Sequence, residues 1–310
     1  NRLLESGDEI IELISSKEFK QFTDKSIPQL LTVPNEDDHP QMMVVDFGIC
    51  KDDNGNIVPK LIELQGFPSL FAFQCLSDQL TRQYTSIPDN YDSYLNGYNS
   101  ESYIELLKEL LLEQHSIENV ILLEWHPEQQ KTAIDFVCTE KLLGIKTVCL
   151  TELIVDDNQL FYLNEGKKTK VEIIFNRVIF EEIKEELSKI KFDLNKAYDV
   201  KWIPHPNWYY RISKYTLPFL SGKYIPKSFF LHEIKQLLPL EKYVLKPLFS
   251  YAGTGVLIDV TSDDIDNITD PENWILQEKV NYEPVVSTPE GYVKTEIRLF
   301  YFWKKEWKKP

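Results

Sequence analysis

The sequence predicts a mixed α/β (α+β) fold that includes a partly parallel sheet. Residues 42–65 consist of two apolar strands around a turn, which is the pattern of a β-hairpin. Residues 119–178 alternate between strand-like and helix-like segments, and this alternation is typical of parallel strands joined by helices. Residues 243–256 form a short apolar strand, a turn with two glycines and the start of another apolar strand.

Composition excludes several classes of protein. The 310 residues carry a net charge of −15, so we expect no nucleic-acid partner, because neutralising phosphates needs a basic face. No apolar run approaches the roughly 20 residues that cross a bilayer, and no signal-peptide pattern opens the chain, so no membrane partner is expected. The four scattered cysteines argue against a disulfide framework or zinc site and indicate a reducing, cytoplasmic location. The chain begins with Asn1 rather than Met, which indicates a fragment or a trimmed chain.

The first informative stretch is the hairpin of residues 42–65. Its strands MMVVDFGI and KLIELQ flank a turn with Asn54-Gly55, a strong hairpin signal. Glu63 and Gln65 are two residues apart and therefore share a face, where they can meet Asp46 of the first strand. Oxygen-bearing side chains of this kind are the ligands that Mg²⁺ prefers. The alternative is a half-exposed hairpin with polar residues on its wet face, although an acidic residue inside an apolar strand needs a partner.

The middle of the chain predicts an open α/β unit. NVILLEW is a buried strand, residues 127–143 a helix and residues 146–150 a second strand. Residues 171–178 form a further strand, and residues 180–194 a charged amphipathic helix. Arg177 follows a strand at the carboxyl end, where α/β sheets bind ligands, and is a candidate for holding a substrate carboxylate.

The last hundred residues carry a candidate anion site. Lys246 lies on the strand YVLKP, and the turn that follows contains Gly253 and Gly255, whose backbone N–H groups can form a nest for anions. The alternative is a hairpin with a flexible tip and an ordinary exposed lysine. The segment 212–220, ISKYTLPFL, is the predicted start of a helix and presents Lys214, and residues 293–303 form a long strand with Glu296 and Arg298 on one face.

These segments resemble the ATP-grasp family. The resemblance depends on the strand with Lys246, the turn with Gly253 and Gly255, and the strand that ends in Gln277-Glu278-Lys279-Val280. The hairpin with Asp46 precedes these segments, whereas metal ligands usually follow them, and this order is that of the circularly permuted ATP-grasp group. From about Met42 to its end, the chain is similar to the synthetase domain of glutathionylspermidine synthase in the runs DFG…LIELQGFPS, VILLEWHPEQQKTAIDF, GIKTVCL, ISKYTLPFL, YVLKP and WILQEKV.

The resemblance implies a role for each matching residue. Mg²⁺ would be held by Asp46, Glu63 and Gln65. ATP would be bound by Lys214 and Lys246 at the phosphates, by the loop of Ser250, Gly253 and Gly255 over them, and by Gln277, Glu278 and Val280 at the adenine. Gln65 stands where the family usually has Asn, and Val44 where it commonly has an arginine that stabilises developing charge; Arg298 or Arg177 could supply that charge. The phosphate loop also lacks a basic residue.

The implied function is an ATP-dependent carboxylate–amine ligase that forms an amide through an acyl phosphate, with small-molecule or peptide-like substrates. A catalytically degenerate relative that binds nucleotide or a peptide-like ligand is the alternative, and an interaction scaffold without a nucleotide site is the third. Three lobes are expected: residues 1–100 with the metal hairpin, a Rossmann-like lobe at 101–200, and a nucleotide-binding lobe at 201–310. A permuted fold would also bring residues 296–303 into the same sheet region as residues 42–65.

Overall fold

The structure of the protein is a computed structural model. It describes residues 2–88, 90–235, 238–250, 253–308 and 310. Within these residues the chain is α+β, with five sheets. It divides into two compact units, of which the first comprises Asn1–Pro28, Met42–Gly66 and Trp208–Pro310, and the second Gln29–Gln41 and Phe67–Asn207. None of the described helices combines the length and apolar character needed to cross a membrane.

The first unit is built from four helices and eight strands in the described residues. The helices are α1 (Arg2–Ile14), α2 (Phe19–Thr23), α7 (Trp208–Arg211) and α8 (Ser262–Asp266). The strands are β1 (Met42–Lys51), β2 (Ile57–Gln65), β10 (Ser228–Phe230), β11 (Tyr243–Pro247), β12 (Trp274–Glu278), β13 (Val286–Thr288), β14 (Gly291–Val293) and β15 (Glu296–Phe302). They form the antiparallel sheets β15-β1-β2 and β10-β12-β11 and the hairpin β13-β14.

Strand β1 is the centre of the first sheet, with β2 on one side and β15 on the other. The predicted neighbourhood of residues 296–303 and 42–65 is therefore confirmed. Because side chains alternate along a strand, Met43, Val45 and Phe47 all point to one face. They belong to a buried core that also contains Ile10 of α1 and Trp208 of α7. The opposite face of β1 carries Asp46.

The second sheet of this unit presents Lys246. Strand β12 lies between β10 and β11, and Lys246 of β11 is opposite Ile275 of β12. Leu245 and Leu276 point to the other face and pack in a separate small core. The alternation along β11 and β12 thus leaves Lys246 and Gln277 on one face of the sheet.

The second unit contains the predicted parallel sheet, which is confirmed. Its described helices are α3 (Phe71–Tyr84), α4 (Ser100–Leu112), α5 (Ala133–Leu143) and α6 (Lys184–Leu187). Its strands are β3 (Val120–Glu124), β4 (Lys146–Cys149), β5 (Ile154–Asp156), β6 (Gln159–Asn164), β7 (Lys167–Val171), β8 (Ile173–Asn176) and β9 (Lys201–Ile203). The parallel order is β4-β3-β8-β9, and β5-β6-β7 form an antiparallel sheet.

Three predicted elements are wrong. In the segment 180–194 only α6 is α-helical, although Phe180, Ile183 and Phe192 are buried. The predicted helix start at Lys214 is a 3₁₀ helix, Lys214–Phe219, and contains Pro218, which cannot donate the backbone hydrogen bond of an α-helix. The strand expected from Val256 reduces to one bridge between Leu245 and Leu257. The division into three lobes at 1–100, 101–200 and 201–310 stays a prediction.

Gly66 directly follows strand β2, at a position where the surrounding atoms leave no room for a side chain. A Cβ on Gly66 would lie 2.2 Å from the carbonyl oxygen of Trp208 and 2.8 Å from Cβ of Ile212. We expect Gly66→Ala to lower the free energy of unfolding by about 1–3 kcal/mol, since backbone must move. Denaturant unfolding measures this change. Gly222→Ala is the matched control, because its Cβ would meet chiefly the mobile Glu9 carboxylate, at 2.3 Å. Equal losses in both variants would contradict the prediction.

Candidate functional site

The three strands of the first sheet bring together the side chains that the sequence predicts as metal ligands. Asp46 on β1 lies opposite Glu63 on β2 and opposite Arg298 on β15. Gln65 follows two residues after Glu63 and lies opposite Val44. We call Asp46, Glu63, Gln65 and Arg298 the Asp46 cluster.

Hydrogen bonds connect all four side chains of the cluster. Arg298 donates from Nε to Oδ1 of Asp46 at 2.7 Å and from Nη2 to Oδ2 at 2.8 Å. Gln65 Nε2 donates to Asp46 Oδ2 at 2.7 Å and to Glu63 Oε1 at 2.9 Å. The side chain of Asp46 is 4% exposed and that of Arg298 is 34% exposed. Burial raises the pKa of Asp46, and the contact with Arg298 opposes this shift.

A bulge shapes strand β2 beside the cluster. Asp46 pairs with Glu63 but Phe47 pairs with Leu61, so Ile62 has no partner on β1. Such an extra residue bends a strand locally and is common next to functional sites. The carbonyl oxygen of Ile62 accepts a hydrogen bond from Lys246 Nζ at 3.3 Å. The bulge therefore links the Asp46 cluster to the strand that carries the lysine.

Lys214 and Lys246, the lysine pair, are buried cations that contact neutral groups. Lys214 Nζ donates to the Ser250 carbonyl oxygen at 2.5 Å and to Ser250 Oγ at 3.2 Å. Lys246 Nζ donates to Gln277 Oε1 at 2.5 Å. In the described part of the chain neither ammonium forms an ion pair with a carboxylate, although Glu63 is near enough to act on both. Burial lowers the pKa of Lys214, and it lowers that of Lys246 to about 8.

Gln277 provides an unused donor beside Lys246. Its side chain is 1% exposed. Oε1 accepts from Lys246, whereas Nε2 has no hydrogen-bond partner among the described residues. A buried donor without a partner costs about 1–3 kcal/mol, which a ligand acceptor would recover. Buried cations that make no ion pair within the described residues, together with an unused donor, are suited to an anionic ligand.

The glycine loop is described only in part. Tyr251 and Ala252 lie outside the described residues. Gly253 and Gly255 both have φ of +73°, which favours glycine, and a Cβ on Gly253 would meet no atom within 4 Å. Ser250 contacts Lys214 as described above. The role of this loop over phosphates stays a prediction.

Two of the residues predicted at an adenine pocket have structural contacts. Glu278 Oε2 accepts from the backbone nitrogen of Lys227 at 3.1 Å, next to the ladder bond between the same residues. Val280 packs against a small core of Cys50, Val58 and Tyr224. Their contact with a nucleotide base stays a prediction.

Arg177 belongs to the second unit and is engaged there. Its guanidinium lies 4.6 Å from the ring centroid of Phe67, and Nη1 donates to the Pro68 carbonyl oxygen. Burial lowers its pKa, and the nearby carboxylates of Glu124 and Asp135 oppose the shift. These contacts give Arg177 a structural role, while its predicted catalytic role remains a prediction.

Sequence reasoning missed Tyr282 as a neighbour of the Asp46 cluster. Its hydroxyl donates to Glu296 Oε1 at 2.5 Å. A Cβ on Gly48 would lie 2.9 Å from the Tyr282 ring, so only glycine leaves room for the tyrosine on this face of β1. The signal was Gly48 itself, since a glycine inside a strand often marks a close approach.

No family model and no curated protein matches the sequence. Among solved structures it is similar to a glutathione synthetase-like effector from Globodera pallida in its apo form. The TM-score is 0.55 at 14% sequence identity, and the match covers 91% of this chain and 71% of that chain. At this identity the likeness concerns the fold alone, so the α+β fold of the chain resembles that of the glutathione synthetase-like effector.

The raised pKa of Glu124, in the second unit, should make the stability of the protein depend on pH. Burial raises its pKa from 4.5 to about 7, against the attraction of Arg177. Its contribution to stability is therefore complete below pH 4.5 and lost as the pH rises through about 7. We expect the wild type to lose up to roughly 3 kcal/mol over this interval relative to Glu124→Gln, which cannot titrate. Urea unfolding at about pH 5 and about pH 8 measures the difference.

The exposed Glu140→Gln serves as the control, because it removes a carboxylate of helix α5 that faces solvent. Parallel stability curves for Glu124→Gln and the wild type would contradict the prediction.

Proposed function

We propose that the protein binds ATP in the first unit and acts as an ATP-dependent carboxylate–amine ligase of circularly permuted ATP-grasp architecture. The observation that carries this proposal is the lysine pair: two buried ammonium groups next to the Asp46 cluster that form no ion pair with a carboxylate among the described residues. The glutathione synthetase-like fold supports it. So does the pairing of β15 with β1, which joins the end of the chain to the hairpin near its beginning.

The residues of the chain divide into binding and charge-stabilising groups. Lys214 and Lys246 bind phosphate oxygens, and Gln277 Nε2 donates to an acceptor of the same ligand. Asp46, Glu63 and the amide oxygen of Gln65 would hold Mg²⁺, which neutralises charge as the terminal phosphoryl group is transferred. The residue types suit such an ion, since two carboxylates and an amide lie together. The contacts of 2.7 and 2.9 Å are made by the amide nitrogen of Gln65, so the amide would have to turn before its oxygen could serve as a ligand.

The proposed reaction requires no nucleophile from the protein. A substrate carboxylate oxygen attacks the terminal phosphorus, ADP leaves, and an acyl phosphate forms. The amine of the second substrate then attacks the acyl carbon and forms the C–N bond. The C–O bond to the phosphoryl group breaks, inorganic phosphate leaves, and the amine loses a proton to the phosphate or to solvent. Orientation and electrostatic stabilisation supply the catalysis. The substrates are small-molecule or peptide-like, in keeping with the glutathione synthetase-like neighbour.

A second candidate function is nucleotide binding without ligation. Val44 occupies the position at which the resembling family commonly has an arginine, and Arg298 uses two of its donor nitrogens, Nε and Nη2, on Asp46. An arginine held in this way is less available to a phosphoryl group. The interaction scaffold is the least supported of the three, because Asp46 and Glu63 share one amide nitrogen and so lie well within the about 8 Å that a shared ion allows.

Thermal unfolding with ATP, with and without Mg²⁺, tests the proposal. A ligand at a hundredfold its dissociation constant stabilises by about 2.7 kcal/mol, so a rise in melting temperature is expected for the wild type. Lys246→Met should lose the shift with ATP, because the buried cation is gone. Glu63→Ala should lose the additional shift that Mg²⁺ provides.

The exposed Lys189→Met is the matched control and should behave as the wild type. The absence of any shift in the wild type would overturn the proposal. A shift without ADP release in the presence of varied acids and amines would favour nucleotide binding without ligation.

Affinity for ATP should fall as the pH rises through about 8. The pKa of Lys246 is lowered to about 8 by burial, so its ammonium is charged below this pH and neutral above it. In Lys246→Arg the guanidinium stays charged, and its affinity should change less between about pH 7 and 9. Calorimetric titration with ATP measures both profiles. Identical profiles for the two proteins would refute this role of Lys246.

A further inference from the structure

The amide of Gln65 lies between the two carboxylates of the Asp46 cluster. Its nitrogen donates one hydrogen bond to Asp46 and one to Glu63, at 2.7 and 2.9 Å. Ionised carboxylates only accept hydrogen bonds, so the amide nitrogen and not the oxygen must face them. Both amide protons of Gln65 are thereby used.

Arg298 provides the remaining hydrogen bonds that compensate the buried carboxylate of Asp46. Its Nε and Nη2 each donate to one of the two carboxylate oxygens, so that Asp46 receives three hydrogen bonds from the described side chains of the cluster. The Asp46 side chain, 4% exposed, has little further access to solvent. Buried carboxylates need such partners, and here groups of the chain itself do what a bound cation would otherwise do.

We propose that Gln65 is a built-in substitute for a divalent cation and prevents the site from binding such a cation by itself. The inference rests on the metal site of the proposed function. For Gln65 to become a ligand, its amide must turn about the terminal torsion and present its oxygen. The torsion itself is soft, but the turn breaks both hydrogen bonds and points an oxygen at two carboxylates.

The cost of this turn explains why a metal would arrive together with a polyphosphate. Mg²⁺ is usually held by one or two carboxylates plus substrate phosphates rather than by protein ligands alone. The unused donor of Gln277 is an independent sign that a ligand acceptor belongs here. Lys246 connects the two places, since it contacts Gln277 and the carbonyl oxygen of Ile62, the neighbour of Glu63.

Binding of Mn²⁺ alone, without nucleotide, tests the inference by electron paramagnetic resonance. The wild type should bind the ion weakly. Gln65→Glu removes both donors and adds a third carboxylate, and it should bind Mn²⁺ at least on the order of tenfold more tightly. The exposed Gln83→Glu makes the same change of charge on helix α3 and should leave the affinity unchanged.

Gln65→Met keeps the length of the side chain but has neither donor nor oxygen ligand. It should melt below the wild type, because Asp46 and Glu63 then repel each other without a bridge, and it should not gain affinity for Mn²⁺. Equal Mn²⁺ affinity of the wild type and Gln65→Glu would overturn the inference. An unchanged melting temperature of Gln65→Met would do so as well. Neither readout involves ATP, so failure here is distinct from failure of the nucleotide shift in the wild type.

Discussion

The ion pair between Asp46 and Arg298 is the interaction on which the first unit depends most. Asp46 stands in a strand of buried, largely apolar residues, where an ionised carboxylate is unfavourable without a partner. Arg298 provides two parallel donors, the geometry in which a guanidinium binds a carboxylate best. Breaking a fully buried pair costs about 3–5 kcal/mol, and less here because Arg298 is 34% exposed. Since the two residues are far apart in sequence, this pair and the sheet order β15-β1-β2 stabilise each other.

The ten residues of strand β1 contribute both to the core and to the site. Met43, Val45 and Phe47 pack into the core on one face, and Asp46 serves the other face. A slip of one residue would exchange the two sets, so burial of the core also fixes the position of Asp46. On β2 the bulge at Ile62 keeps Glu63 opposite Asp46 while the rest of the strand continues its pairing. The geometry of the site is thus a consequence of core packing.

Local patterns predicted the hairpin well, and long-range contacts poorly. Asn54-Gly55 and the apolar alternation predict the hairpin and its turn. The register at the turn would place Ile62 opposite Asp46, so the pairing of Asp46 with Glu63 depends on the bulge, which the local pattern does not predict. No local signal states which strand lies on the other edge of β1; the resemblance to a permuted fold led to β15, but not to the contact between Arg298 and Asp46. The buried state of Gln277 likewise depends on its neighbours β10 and β11. In segment 180–194, burial of Phe180 and Phe192 in non-helical backbone overrode a charged helical pattern.

The chain itself neutralises the negative charge of Asp46 more fully than the positive charges of the lysine pair. Asp46 is compensated within the chain by Arg298 and Gln65, whereas the hydrogen bonds that the lysine pair makes with the described residues all go to neutral groups. A polyanion therefore gains most from Lys214 and Lys246, which lie on the 3₁₀ helix and on β11. Charge-stabilising groups lie on β1, β2 and β15 instead. Because the two lysines and the charge-stabilising groups lie on separate elements, anion binding could persist when the charge-stabilising groups are altered. Under the proposed function, Val44 would alter one of those groups without touching either lysine, so a loss of ligation would leave nucleotide binding intact.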